Sequence, residues 1–493
     1  MNDPSPLEQQ IKYEKFFIKK ISKSIESIKF KNNLFINFEK SILNKIINLT
    51  INDFSNNKVI SNKFIKISKT KIKINFIFYI LYFLELSILF FIYSFLLIFS
   101  FSNLNKKKYS KKKFIIFLDN PSSNNNYSLG SFISSGKLSK INSFKSCVVI
   151  SKYPVFSKYK NKVFFSRFPL LYLASNFLSF SNRLLILKDI LLNIHLIFYY
   201  LIKNPVLILL RRELIDIFLI NFLDNKNIIN KVFMTNSNLF DPPLWTYKNN
   251  KNFTNHCIWY SQNIFPKIYD RDKKLFFVFL NFRNLNIDQH YVWTKEFKTI
   301  LINNGIKGKF KEIGPFQWLY PQKKININED YIVLFDVIPL NIETNLFYSK
   351  RNYYSYATIT KFIEDSVNII NELNIKYNLN INVILKHKRN FNKYHDTNYS
   401  SFISSFSKKY KFFKIISPYV DNEYLIKNSI TYLSVPYSTT AYYGEFLKKT
   451  NFFYDSSGSV LPLFPNDPYI HFTNNKKQLY KLLEKVIISK SKR

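Results

Sequence analysis

Five residues, Pro436, Tyr437, Ser438, Thr439 and Thr440, gather hydroxyl groups between an apolar run, TYLSV, and a helix-forming stretch, AYYGEFLKK. Proline ends a strand, and Ser or Thr caps a helix, so the pattern predicts a strand whose carboxyl end turns into a helix N-terminus. In open α/β sheets ligands bind at such places, and backbone N–H groups there favour phosphate. The hydroxyls add donors. Glu445, one to two turns into the helix, is spaced to reach a ribose hydroxyl, and Lys448 and Lys449 fall where a last turn would suit the helix dipole. NFFY reads as the next strand and DSSG as its turn. A capped helix with no ligand carries the same local pattern, so these residues gain meaning only from their surroundings.

A second group suits the same chemistry. INVILKHKR ends a predicted strand with Lys386, His387, Lys388 and Arg389. Arginine is scarce in this chain, with nine residues, so one beside a strand end is informative. The group could bind a diphosphate; a solvated basic turn is the plainer alternative. Nearness of this strand to PYSTT decides between them. YIVLFDVIP sets Asp336 just past a buried strand, where it binds substrate or caps a turn. HCIWYSQN gathers His256, Trp259, Tyr260, Ser261 and Asn263 at another strand end, with Tyr260 and Asn263 as candidates to line the cleft. All four tryptophans fall between positions 245 and 318, and core packing is the expected reason. Asp270, Arg271 and Asp272 spell a D-x-D triplet, but it lies between IFPKIY and KK rather than after a buried strand. It reads as a surface turn, and no metal site is expected. Walker A, G-x-G-x-x-G, G-x-S-x-G and H-E-x-x-H patterns are absent.

Short apolar strands alternating with helices predict parallel sheets built from α/β units. They come in two series separated by the polar stretch at 322–330. The predicted architecture is α/β with two tandem Rossmann-like domains, at 113–321 and 331–493. Ahead of them lie a basic, mostly helical region at 1–75 and a hydrophobic segment at 76–101. That segment has 26 residues and one charge, Glu85, enough to cross a bilayer. Lysines flank it on both sides, so charge gives no orientation. Membrane attachment is the favoured reading, as a span, a re-entrant hairpin or an interfacial helix. Residues 184–223 are also apolar, but charges interrupt them. They are read as soluble, largely buried helices.

Composition narrows the partners. The 47% hydrophobic content indicates a globular protein, and 493 residues allow two or three domains. A formal charge of +40 would fit a polyanion or an anionic membrane. The lysines are spread throughout, and the favoured residues, Lys, Asn, Ile, Phe and Tyr, share AT-rich codons. Codon bias explains much of the charge, and no nucleic-acid-binding module is present, so no nucleic-acid partner is expected. Two cysteines argue against a disulfide framework, and six scattered histidines against zinc. The N-terminus lacks the pattern of a signal peptide.

The stretch VPYSTTAYYGEFLKKTNFFYDSSG resembles the signature of bacterial polysaccharide-biosynthesis proteins named for a P-F-T-S motif. Other blocks agree in order: WYSQN at 259–263, VW at 292–293, IGPFQW at 313–318, LFDVIP at 334–339 and LKHKR at 385–389. Tyr437 stands in place of Phe, and Ser438-Thr439 in place of Thr-Ser, which keeps one aromatic ring and two hydroxyls. The family is similar to glycosyltransferases with two Rossmann domains (GT-B-like). The resemblance implies a nucleotide-sugar donor held by the C-terminal domain and a lipid-linked or polysaccharide acceptor facing the N-terminal one. It implies no cofactor and no metal. PYSTT, Lys386, Lys388 and Arg389 would stabilise the leaving diphosphate, and a general base would come from the N-terminal domain, with Asp119, Asp241 and His256 as candidates. Lipid-linked acceptors imply the cytoplasmic face of the bacterial inner membrane, with membrane lipid as a partner. A polyol-phosphate transferase of the same fold and a non-enzymatic assembly or export partner are the alternatives.

Overall fold

A computed structural model describes residues 65–67, 72–74, 76–99, 113–118, 148–151, 163–166, 168–203, 205–236, 242–248, 250–260, 266–268, 275–277, 286–303, 306–315, 325, 327–341, 355–388, 390–392, 394–436, 438–458 and 467–491. The chain divides into two compact units: Met1–Ile258 with Asn281–His290 and Ile306–Lys309, and Trp259–Leu280 with Tyr291–Gly305 and Phe310–Arg493.

The N-terminal sheet has seven strands: β1 (Phe114–Phe117), β2 (Val148–Ser151), β3 (Val163–Phe165), β4 (Ile229–Thr235), β5 (Thr254–Ile258), β6 (Gln289–Val292) and β7 (Lys309–Glu312). They lie in the order β7-β6-β5-β4-β1-β2-β3, with β1 parallel to both β2 and β4. FIIF of β1 is buried at every position, as a strand covered on both faces must be. At the end of the region expected to be mostly helical, Ile65–Ile67 and Ile72–Ile74 pair as short antiparallel strands, because Ile-Lys-Ile alternates with period two and β-branched side chains suit a pleat.

Five helices accompany this sheet: α1 (Phe76–Phe99), α2 (Pro169–Phe177), α3 (Phe180–Lys203), α4 (Arg211–Leu214) and α5 (Asp216–Asn225). Polar bonds hold α1 on its inner side. Tyr93 donates to Asp216 at 3.1 Å, and Arg211 donates to Glu85 at 2.6 Å with its guanidinium 3.6 Å above the Tyr82 ring. The outer side of α3 differs from the buried helix expected. Leu184, Leu185, Leu191, Leu192 and Ile202 are exposed, while Ile186, Ile190 and Ile197 face inward. The charges that interrupt this stretch therefore do not require its burial in protein.

The second sheet comprises β8 (Tyr331–Phe335), β9 (Asn382–Lys386), β10 (Phe413–Ile416), β11 (Tyr432–Ser434), β12 (Asn451–Tyr454) and β13 (Ile470–Thr473). Every neighbouring pair is parallel, in the order β10-β9-β8-β11-β12-β13. Numbered from its first strand this is 3-2-1-4-5-6, the doubly wound order. The N-terminal sheet winds the same way with one strand more. Helices α7 (Tyr356–Tyr377), α8 (Thr397–Lys409) and α11 (Lys476–Ser491) cover the second sheet; α6 (Lys295–Asn303), α9 (Asn422–Asn428) and α10 (Tyr442–Leu447) are the other α-helices among the described residues. Ser355 caps α7 by accepting from Thr358 N–H, and Asn378, with φ at +52°, ends it. Ile332, Leu334, Val383 and Leu385 from the strands meet Ile359, Ile363, Leu479 and Leu483 from the helices in one core. Each such side chain contributes about 1.5–3 kcal/mol by burial.

Candidate active site

Strand order reverses in the second sheet between β8 and β11; in doubly wound sheets the ligand crevice lies beyond the carboxyl ends at such a point. Registry fixes what lies there. Phe335 pairs with Ser434 on one side and with Lys386 on the other. The next residues outward are therefore Asp336 after β8, Val435 and Pro436 after β11, and His387 after β9. INVILK lies one strand away from TYLSV, with YIVLF between them.

Asp336 is the centre of a buried polar cluster. Its side chain is wholly inaccessible. Oδ2 accepts two hydrogen bonds, from His387 Nδ1–H at 2.7 Å and from the Tyr399 hydroxyl at 2.6 Å. Oδ1 is buried with no hydrogen-bond partner among the described residues. A carboxylate oxygen left so costs free energy, which a ligand group or an ordered water would relieve. The loop carrying Asp336 is pinned: Asp396 N–H donates to Pro339 O, Asn341 N–H donates to Tyr394 O, and Leu340 bridges His395. Tyr399 comes from the first turn of α8, whose N-cap Asp396 accepts from Asn398 N–H.

A carboxylate only accepts, so the bond to Asp336 places a proton on His387 Nδ1. The ring stands edge-on to Phe391 (5.3 Å) and to Tyr399 (6.0 Å). Nε2 is the ring atom left for a ligand, as acceptor in the neutral ring and as donor in the imidazolium. Burial and the neighbouring Asp336 charge both hold the Tyr399 phenol far above its ordinary range. Lys386, at the end of β9, is buried and donates to Pro418 O at 2.9 Å. Burial pushes its ammonium down to about 8, against the pull of Asp336 and Asp421.

Across the crevice, PYSTT turns more tightly than a continuous helix. Ser438 has extended geometry and makes no capping bond; its hydroxyl pairs with that of Thr440 at 3.1 Å. One 3₁₀ turn, Thr439–Ala441, leads into the six residues of α10. The helix ends at Lys448, in the left-handed region, so Lys448 and Lys449 lie past its last turn. Gly444 lets α10 sit against β11: a Cβ there would meet the Tyr432 hydroxyl and come within 2.6 Å of Lys449 O. Gly314, with φ at +73°, gives the same freedom opposite the Phe446 ring, which an added Cβ would approach to 2.9 Å. Trp293 packs edge-on to Tyr443, and Phe297 bridges Trp259 and Tyr442. Blocks far apart in sequence thus hold α10 in place. Trp245, Trp259 and Trp293 are buried as core; Trp318 lies outside the described residues.

Of the other candidate residues, Pro436 is buried, Ser438, Thr439 and Thr440 are half-buried, and Lys388 is exposed. Glu445 falls within α10. Asp119, Asp241, Asn263, Arg389 and Tyr437 lie outside the described residues, as do Cys147 and the D-x-D triplet. Tyr260 is half-buried just past β5. His256 sits inside β5 rather than beyond its end, stacked on Phe233 at 4.8 Å, with Nε2 2.7 Å from Thr254 Oγ1. Burial, then the Lys231 charge, push its imidazole down to about 3, which makes it a weak base.

A sequence profile described as polysaccharide biosynthesis PFTS motif protein matches residues 187–483, more than half of the chain. The chain belongs to that family. Comparison with curated proteins finds no match. Among solved structures it is similar to the UDP-GlcNAc 2-epimerase of Methanocaldococcus jannaschii in complex with UDP-GlcNAc and UDP: 13% identity, 76% of this chain and 92% of that one, TM-score 0.37. It is similar to the wall teichoic acid polymerase TagF with CDPG: 13%, 83% and 88%, TM-score 0.38. The S. aureus MnaA–UDP complex gives 11%, 76% and 88%, TM-score 0.38. Neither activity nor geometry is transferred from these structures.

Proposed function

We propose that this PFTS-family protein is a glycosyltransferase that moves a sugar from a nucleotide-sugar donor to a lipid-linked acceptor during cell-surface polysaccharide synthesis, on the cytoplasmic face of the inner membrane. The observation that carries the reading is the buried Asp336–His387–Tyr399 cluster at the strand-order reversal, where β8 pairs with β11, the strand that leads into Ser438 and Thr440. In the transfer, an acceptor hydroxyl attacks the anomeric carbon, the bond to the diphosphate breaks, and the hydroxyl proton passes to a base. The negative charge grows on the leaving diphosphate, so cations and donors aimed at it lower the barrier. His387 presents Nε2 to the ligand, and Asp336 fixes the ring. Ser438 and Thr440 supply hydroxyls, Lys388 and Arg389 add positive charge, and Glu445 reaches the ribose. This apparatus needs no metal or cofactor. Asp119 and Asp241 are the stronger candidates for the base, because a histidine held near 3 takes up a proton poorly.

Calorimetric titration of the full chain with a panel of nucleoside diphosphates tests this. Saturable binding of one of them is expected, weakened about tenfold or more in His387→Gln and in Ser438→Ala, since each removes a hydrogen bond to a charged ligand. A cytidine preference combined with turnover of a polyol-phosphate donor would move the assignment to a polyol-phosphate transferase. No binding by the folded chain would overturn the transferase reading in favour of a non-enzymatic partner.

A further inference from the structure

Helices α1 and α3 are both long and apolar enough to cross a membrane. Their surroundings point elsewhere. On α1 the exposed residues Ile77, Leu81, Leu84, Ile88, Phe91 and Phe95 recur every three or four positions and make one stripe, with Ile77 66% and Phe91 71% accessible. The opposite side is bound to the first unit, through Tyr93 to Asp216 of α5 and through Glu85 and Tyr82 to Arg211 of α4. Helix α5 leads within a few residues to β4, a buried strand of the N-terminal sheet. If α1 stood across a bilayer, these charged partners would have to enter the hydrocarbon with it.

Helix α3 packs beside α1, with the Phe83 and Phe198 rings 5.0 Å apart. Its outer residues Leu184, Leu185, Leu191, Leu192 and Ile202 are exposed, and Lys188 and His195 lie among them. Ionisable groups on that stripe are costly at bilayer depth but comfortable at headgroup level, where a lysine stem lies along apolar surface and its ammonium reaches water. An apolar face on two helices of 24 residues each, about 36 Å long, exceeds what a soluble monomer ordinarily exposes. The sequence around α1 supplies matching charge: Lys66, Lys69, Lys71 and Lys73 precede it, Lys106 to Lys108 and Lys111 to Lys113 follow it, and the chain carries +40.

We infer that α1 and α3 form a docking face that lies in the plane of an anionic bilayer surface and does not cross it. The inference rests on the membrane placement proposed above and is independent of the donor chemistry. Both apolar stripes sink into the headgroup boundary, and the flanking lysines meet anionic lipid.

Flotation of the purified full chain with vesicles of phosphatidylcholine and phosphatidylglycerol, and with phosphatidylcholine alone, tests it. Binding is expected to the anionic vesicles and to weaken with salt. Phe91→Glu with Phe95→Glu on α1, and separately Leu191→Glu with Leu192→Glu on α3, should each lower the bound fraction by about tenfold or more, because attachment scales with buried apolar area. Circular dichroism and the nucleotide titration on the same variants keep loss of docking apart from loss of fold or of donor binding. In right-side-out membrane vesicles, Ser68→Cys and Ser110→Cys should both resist an impermeant maleimide until the vesicles are opened, with the unsubstituted chain reporting Cys147 and Cys257. Unchanged flotation of the α3 variant, labelling of one cysteine from outside, or a face covered by residues 1–64 or a second copy so that no vesicle binds, would each overturn the inference.

Discussion

Replacing Tyr399 by Phe removes one of the two donors that hold Asp336. The hydroxyl lies 2.6 Å from Oδ2, and the carboxylate is wholly inaccessible. A hydrogen bond to a charged group contributes about 1.5–3 kcal/mol, and the space left by one oxygen is too small for a water to replace it. Tyr399→Phe should therefore lower unfolding stability by about 2 kcal/mol. In Asp336→Asn the amide oxygen can still accept from His387 and Tyr399. The amide nitrogen then takes the place of Oδ1, which has no partner, so an orphan donor replaces an orphan acceptor and the charge is lost. That variant should lose about 2–3 kcal/mol, and the double variant about 1–2 kcal/mol less than the sum, since the bond that Tyr399→Phe removes is one that Asp336→Asn has already weakened. Function should separate the two. A neutral amide holds the His387 ring less firmly than a carboxylate does, so nucleoside diphosphate affinity should fall about tenfold in Asp336→Asn and only about threefold in Tyr399→Phe. Urea unfolding gives the stabilities and calorimetry the affinities. Additive stabilities, or wild-type affinity in Asp336→Asn, would refute the view that this carboxylate positions His387 for a ligand.

Two further outcomes follow from the packing. Gly444→Ala should destabilise by about 1–2 kcal/mol in urea unfolding, because the close approach to Lys449 O outweighs the better helix propensity of alanine; a stabilising alanine would show that α10 does not press on β11. Burial pushes the imidazoles of His256 and His290 down to about 3 and about 4. Below pH 6.5 the unfolded chain takes up protons that these folded histidines refuse, so stability is full above that pH and falls as pH drops towards 4. At pH 4.5 each histidine should cost about 2–3 kcal/mol, and His256→Gln should flatten the pH dependence of urea midpoints between 6.5 and 4.5; an unchanged slope would place the acid sensitivity elsewhere.

Much of this was legible in the sequence. The apolar runs YIVLF, INVILK and TYLSV became β8, β9 and β11, because unbroken Ile, Val and Leu segments bounded by Pro or charge suit strands buried on both faces. Tandem doubly wound sheets followed from the alternation of such runs with helices. What stayed hidden depended on pairing across the sheet. Tyr399 is 63 residues from Asp336, and no spacing rule links them. His387 was visible as one charge in a basic turn, and its bond to Asp336 emerged only when β8 and β9 proved adjacent. A histidine one residue past a strand, beside a strand ending in aspartate, is the signal that could have found it. The exposed side of α3 was missed for another reason: Lys188 was read as interrupting a buried apolar stretch, and it lies on the exposed side of the helix.

A buried carboxylate beside a proposed diphosphate site looks like a conflict, since like charges repel most where water is scarce. The geometry resolves it through order along the strands. Lys386 lies inward of His387 on β9, buried and bonded to Pro418 O, and His387 Nδ1–H is turned to the carboxylate. An incoming diphosphate would meet the imidazole rather than the carboxylate itself. Asp336 thus works through His387: the two short bonds to Oδ2 that look structural fix the ring that would face a leaving group.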